Sequence, residues 1–217
     1  MGKISILTQN QQIILNQLSL SEYLKEFYLT GGTALSAFYL KHRYSDDLDF
    51  FSERKFDNKI IFTLMEMWSK KCNFKFSSNF AEVNYMFNLI FDKNSELKVD
   101  FAYYPYKRIE KRDIINGVEV DSLTDIAVNK LLVVTQRSEV KDFVDLYFLL
   151  RDFSVWDLIE GVKVKFKKEI DPFILAADFL KIEDFDFLPR MIKPLEIDLL
   201  KEFYRKLSKE LGVKSLQ

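Results

Sequence analysis

The sequence predicts a mixed α/β fold of the α+β kind, with a small mixed β-sheet core flanked by helices and a mainly helical C-terminal half. Three observations carry this prediction. Strand-like apolar runs fall in the first 120 residues, at 27–29, 47–51, 74–78, 83–91 and 96–104. Helical apolar spacing dominates after residue 122. Gly31 and Gly32 separate a short strand from a helix, and an acid-bearing strand follows. The expected division is a core over residues 1–120 and a helical region over 121–217.

Residues 9–26 read as one or two short helices, with Ile13, Ile14, Leu18 and Leu20 on the apolar face. The apolar run at 27–29 suits a buried strand. Gly31, Gly32 and Thr33 then open a helix in which Ala34, Leu35, Phe38 and Tyr39 recur at helical spacing. Two glycines let the backbone turn tightly and let a ligand approach. At a helix start the free N–H groups and the positive dipole end make a phosphate site. Thr33 suits an N-cap or a hydroxyl donor to phosphate. A polar loop over 41–45 leads to Asp47 and Asp49. In a strand these acids share one face, where they repel each other unless a cation intervenes. Hard oxygens of this kind suit Mg²⁺, which also keeps waters and phosphate oxygens. Together the parts predict metal-assisted phosphoryl or nucleotidyl transfer.

The blocks GGTAL, from Gly31 to Leu35, and HRYSDDLDFF, from His42 to Phe51, resemble the AbiEii/AbiGii toxin family, a branch of the DNA polymerase β-like nucleotidyltransferases. The order and spacing of the blocks match as well as their residues. His42, the only histidine, lies before the acid pair in a polar loop, so a structural or solvent-facing role is expected. Arg43 is expected to fix the loop by pairing with an acid such as Asp46.

Residues 58–71 read as an amphipathic helix. The runs at 74–78 and 83–91 suggest a hairpin broken at Asn79. In the strand at 96–104 Leu97, Val99 and Phe101 take one face, and Glu96, Lys98, Asp100 and Ala102 the other. The resemblance implies a third carboxylate on a neighbouring strand, and Asp100 stands at that place, to complete a metal site or activate the attacking hydroxyl. Asn116-Gly117 marks a second hairpin. Lys107, Arg108, Lys111 and Arg112 form a basic cluster, either RNA-facing or a solvated face.

Ser122 is placed to cap a helix whose apolar arc is Leu123, Ile126, Ala127, Leu131 and Val134. Lys130 falls within that arc, which is costly unless it reaches an anion or snorkels to water. An incoming triphosphate would supply the anion, and the resemblance agrees, since family members carry a lysine in this helix. The next helix, 139–152, puts Asp142 and Asp145 on its polar face, which periodicity reads as solvated. The segment KDFVDLYFL resembles a family motif. That implies that Asp145, with Asp142, helps build the active-site pocket by orienting Lys130 or the substrate. Helices are expected at 155–162, 172–180 and 195–211, with VKVKFKK and Lys201, Arg205, Lys206 and Lys209 as basic faces.

Composition sets bounds. The 217 residues are 48 % hydrophobic with 6 Gly and 4 Pro, which argues against disorder. With 32 Lys+Arg against 33 Asp+Glu there is no global basic field, so any RNA contact must be local. The single cysteine, Cys72, excludes an intrachain disulfide. The polar N-terminus and the lack of a long apolar run lead to the expectation of a cytoplasmic protein with no membrane segment. The resemblance implies a toxin of a bacterial toxin–antitoxin or phage-defence pair, with tRNA or other RNA as acceptor and a cognate antitoxin as partner. A non-catalytic nucleotide- or partner-binding module, and an enzyme modifying a small molecule, are the alternatives.

Overall fold

The computed structural model describes residues 6–92 and 95–214, with only the backbone for Lys214. Residues 1–5, where part of the polar N-terminal reading falls, lie outside the described residues. The chain divides into two compact units. The first holds the described parts of Met1–Tyr39, with Ser45–Lys107 and Lys111–Ser122; the second holds those of Leu40–Tyr44, Arg108–Glu110 and Leu123–Gln217.

The first unit is built on a seven-stranded mixed sheet. Its strands are β1 (Tyr28–Thr30), β2 (Leu48–Ser52), β3 (Lys75–Ala81), β4 (Asn84–Asp92), β5 (Ser95–Tyr103), β6 (Asp113–Ile115) and β7 (Val118–Val120), in the order β3-β4-β5-β2-β1-β7-β6. β1 pairs antiparallel to β2 and parallel to β7, and β2 pairs parallel to β5. Alternation sends Leu48 and Phe50 of β2 and Leu97, Val99 and Phe101 of β5 into the core, where Phe50 stacks on Phe101 at 5.3 Å between ring centroids. Helix α1 (Gln9–Ser19) starts from a Thr8–Gln11 capping box and buries Ile14, Leu15 and Leu18. A short helix α2 (Gly31–Ala34) runs on into a wider turn over Leu35–Leu40. Helix α3 (Asn58–Cys72) is capped by the Asp57 side chain and stopped by Asn73 in the left-handed conformation.

Two local expectations meet different outcomes. The hairpin at Asn116-Gly117 forms with φ +52° and +80°, as a two-residue primed turn requires. The break expected at Asn79 does not occur. Asn79 pairs with Met86 within the ladder, and the chain reverses at Glu82-Val83, with Glu82 taking the left-handed conformation (φ +53°).

The second unit is helical: α4 (Leu123–Gln136), α5 (Val140–Leu149), α6 (Val155–Phe166), α7 (Pro172–Leu180) and α8 (Ile197–Lys214). Ser154 and Asp157 form a capping box for α6, and Asp171 caps α7 ahead of Pro172. Helices α4 and α6 approach closely at Gly161, where a methyl group would overlap Val128 Cγ2. The buried Tyr204 of α8 donates its hydroxyl to the Phe143 carbonyl at 2.7 Å. Among the described residues no helix is long and apolar enough to cross a membrane.

Candidate active site

Asp49 of β2 and Asp100 of β5 are register partners in a parallel pair, so their side chains leave the same sheet face next to one another. Asp49 is half-buried and Asp100 buried. Asp47 stands one residue before β2, which corrects the expectation of a strand already running at that position. The reason is local. The Thr33 hydroxyl donates to the Asp47 carbonyl, and Gln11 Nε2 donates to the Ser45 carbonyl at 2.9 Å, so the approach to β2 is tied down as a loop.

Gly31 is required at its position twice over. Its φ is +72°, and a Cβ on it would overlap Asp49 Oδ2 and lie 3.1 Å from Asp49 Cγ. The acid therefore packs directly against the glycine turn. Gly31, Gly32 and Thr33 form the first turn of α2, where N–H groups have no partner within the helix. Thr33 does not cap this helix. The helix starts at Gly31, so Thr30 occupies the cap position, and its hydroxyl donates instead to Asp121 Oδ2 at 2.9 Å. The Thr33 hydroxyl instead holds the loop through the Asp47 carbonyl.

One residue that the sequence reading leaves without a role enters this cluster. Lys98 Nζ donates to Asp100 Oδ2 at 2.8 Å. Partial burial pulls the Lys98 pKa down, but the bond to Asp100 and the charges of Asp100, Asp47 and Asp49 outweigh it, and the net shift is upward. Its signal was available: Lys98 and Asp100 are i and i+2 on one strand. The other oxygen, Asp100 Oδ1, is buried and has no hydrogen-bond partner among the described residues. Hard oxygen donors and an unsatisfied buried acceptor fit a divalent cation. Among the described residues no three acid, histidine or cysteine side chains form a ready-made metal cluster. Mg²⁺ needs only one or two protein carboxylates when phosphate and water complete its shell.

Lys130 and Asp145 belong to the second unit. Periodicity reads Asp142 and Asp145 as solvated, and the structure overturns that: both are fully buried. The reason is a convergence of cations. Arg43 donates to both oxygens of Asp145 at 2.6 and 2.8 Å, His42 Nε2 lies 2.7 Å from Oδ1, and Lys130 Nζ lies 2.6 Å from Oδ2. Lys130 also bonds Asp142 at 2.8 Å, and Arg137 donates to Asp142 at 2.8 Å. Burial alone would raise the Asp145 pKa, but Lys130, Arg43 and His42 hold it well below the usual carboxylate range. Lys130 thus finds its anion inside the protein. Arg43 does pair with an acid, Asp145. His42 is buried rather than solvent-facing, its pKa lowered by burial against the pull of Asp145. As a neutral ring it must carry its proton on Nε2 to donate to the carboxylate, which leaves Nδ1 buried and without a partner among the described residues.

Two basic residues also leave the surfaces expected of them. Arg112 is buried, bonds Glu53 at 2.6 Å and stacks 3.4 Å over the Tyr28 ring. Lys165 is buried against Asp125 at 2.6 Å, and Asp125 also accepts from the backbone of Ile109 and Glu110.

The geometry is two carboxylates side by side on a mixed sheet against a glycine turn at a helix start, and the family match shows that this chain is a nucleotidyltransferase. The chain belongs to the family described as "Nucleotidyl transferase AbiEii toxin, Type IV TA system", whose model matches residues 13–210. The protein aq_aa25 of Aquifex aeolicus (strain VF5) is 35 % identical over 165 residues, covering 73 % of this chain and 75 % of that protein. The fold is similar to JHP933 from Helicobacter pylori (TM-score 0.56, 21 % identity, 97 % of this chain and 95 % of that one). It is also similar to MenT4, the nucleotidyltransferase toxin Rv2826c of Mycobacterium tuberculosis H37Rv (TM-score 0.55, 15 % identity, 93 % and 83 %).

Proposed function

We propose that the chain transfers an NMP from an NTP to an acceptor hydroxyl of RNA, tRNA foremost, in a Mg²⁺-dependent reaction. It would act in the bacterial cytoplasm as the toxin of a toxin–antitoxin pair, with a cognate antitoxin as partner. The observation that carries the chemistry is the Asp49–Asp100 register pair backed by Gly31. The toxin role follows the family, whose description names a toxin–antitoxin system. RNA as acceptor rests on the sequence resemblance.

Backbone amides of Gly31, Gly32 and Thr33, at the positive end of α2, would receive the phosphates. Asp49 and Asp100, with Asp47, would hold Mg²⁺, which supplies charge neutralisation at the phosphoryl oxygens. A carboxylate of this cluster would take the proton of the acceptor hydroxyl. The hydroxyl oxygen forms its bond to the α-phosphorus as the bond to the bridging oxygen breaks, and pyrophosphate leaves with that electron pair. Lys130 and Asp145 receive a positioning role. With Arg43 and His42 they fix the chain segment that precedes Asp47 in sequence.

The test is label transfer from each α-labelled NTP to total bacterial tRNA with Mg²⁺. The variants Asp47→Ala, Asp49→Ala and Asp100→Asn run beside the parent, and loss of at least roughly a hundredfold is expected for Asp49→Ala and Asp100→Asn. Full activity in either of those two would overturn the assignment. NTP binding without label in tRNA would redirect the acceptor.

A further inference from the structure

We propose that Lys98 is a resident counter-ion of the carboxylate cluster and competes with a divalent cation for Asp100. The inference rests on the nucleotidyltransferase reading above. Lys98 Nζ bonds Asp100 Oδ2 at 2.8 Å, and Asp49 is the register partner of Asp100 on the neighbouring strand. Two register-paired carboxylates on one sheet face repel unless a positive charge stands near them. Lys98 supplies that charge from the same strand face, two residues from Asp100.

The Lys98 bond is built to be given up. Its side chain is 42 % exposed, so water waits for the ammonium on release. Its stem has four flexible carbons and its head is a strongly hydrated point charge. Lys130 makes the contrast: its side chain is 9 % exposed and two fully buried carboxylates hold it, so leaving would strand both. Asp100 is also only half used, since Oδ2 faces Lys98 while Oδ1 is buried without a partner among the described residues. A cation that reaches Oδ1 draws on the same carboxylate charge that holds Lys98. Entry of the cation and release of the ammonium are therefore coupled, and each weakens the other.

Mn²⁺ binding to the full chain, read by the electron paramagnetic resonance of free Mn²⁺ without nucleotide, tests this apart from turnover. Lys98→Met is expected to tighten binding by roughly three- to tenfold, because a competing unit charge is removed. Lys98→Arg is expected to weaken it, because a guanidinium grips a carboxylate through two parallel bonds. Lys163→Met, which removes the same charge from an exposed position, is expected to bind as the parent does. The rise in melting temperature on adding Mn²⁺ in place of chelator should be larger for Lys98→Met than for the parent. That holds even if the variant is less stable in chelator. Unchanged or weaker binding by Lys98→Met overturns the proposal. If the parent binds and Asp100→Asn does not, that outcome leaves the carboxylate site standing. If neither parent nor Lys98→Met binds Mn²⁺, this inference falls, while the nucleotidyltransferase reading, in which phosphate completes the metal's shell, is judged by label transfer.

Discussion

Asp145→Asn is the substitution with the largest expected effect on stability. The carboxylate is fully buried and takes two bonds from Arg43, one from His42 and one from Lys130, all between 2.6 and 2.8 Å. The amide keeps the shape but removes the charge, and its NH₂ group faces donors. Arg43 loses its bidentate partner, and Lys130 is left with Asp142 alone. Breaking a buried ion pair from one side costs about 3–5 kcal/mol, because the other charge stays desolvated. For a chain of this size that corresponds to a fall in melting temperature of roughly 6–20 °C. Calorimetry or circular dichroism at pH 7.5 reads it directly, with Lys163→Met as a surface control expected to leave the midpoint in place. A loss below about 1 kcal/mol would refute the reasoning, since the four contacts could not then be holding a buried charge.

His42 gives a pH prediction. Its folded pKa lies below the ordinary 6.5, so the unfolded chain takes up this proton first. Its contribution is therefore complete above pH 6.5 and is lost as pH falls through the lowered folded value. Unfolding midpoints measured from pH 8 to 5 should drop in the parent and drop less in His42→Gln, which donates to Asp145 without titrating. Gly31→Ala should abolish transfer while the chain still folds. The positive φ costs about 1–2 kcal/mol in a residue with a Cβ, and the methyl group displaces the Asp49 carboxylate; parent-like transfer rates would count against the packing described. Gly161→Ala should destabilise by about 1–3 kcal/mol, read by urea unfolding, because its methyl group would press on Val128 where α4 and α6 meet.

Much of the fold is legible because its causes are local. The apolar alternation of β2 and β5 marks their buried faces, Asn116-Gly117 sets a hairpin, and Asp171 ahead of Pro172 starts α7. The glycine turn and the two acids after it could be read together because they lie within twenty residues of one another. Where a local rule had a competitor it failed. Asn79 has a turn former's side chain, yet the ladder to Met86 held it extended and the reversal went to Glu82-Val83. Thr33 suits a cap, but the helix began two residues earlier and its hydroxyl went to Asp47.

The sequence by itself determined the class of fold, through spacing and alternation, and its resemblance to a known family pointed to the family and to the acids on which the chemistry is expected to rest. Only the tertiary structure decided where the charges go. Asp145 lies 102 residues from Arg43 and 103 from His42, so no periodicity could place it inside a buried cluster. Lys130 is a mismatch on an apolar arc in one dimension and a satisfied ion in three. Asp49 and Asp100 become neighbours only through the β2–β5 register. Charge acts through space over a few ångströms, and the fold alone sets which residues lie that close.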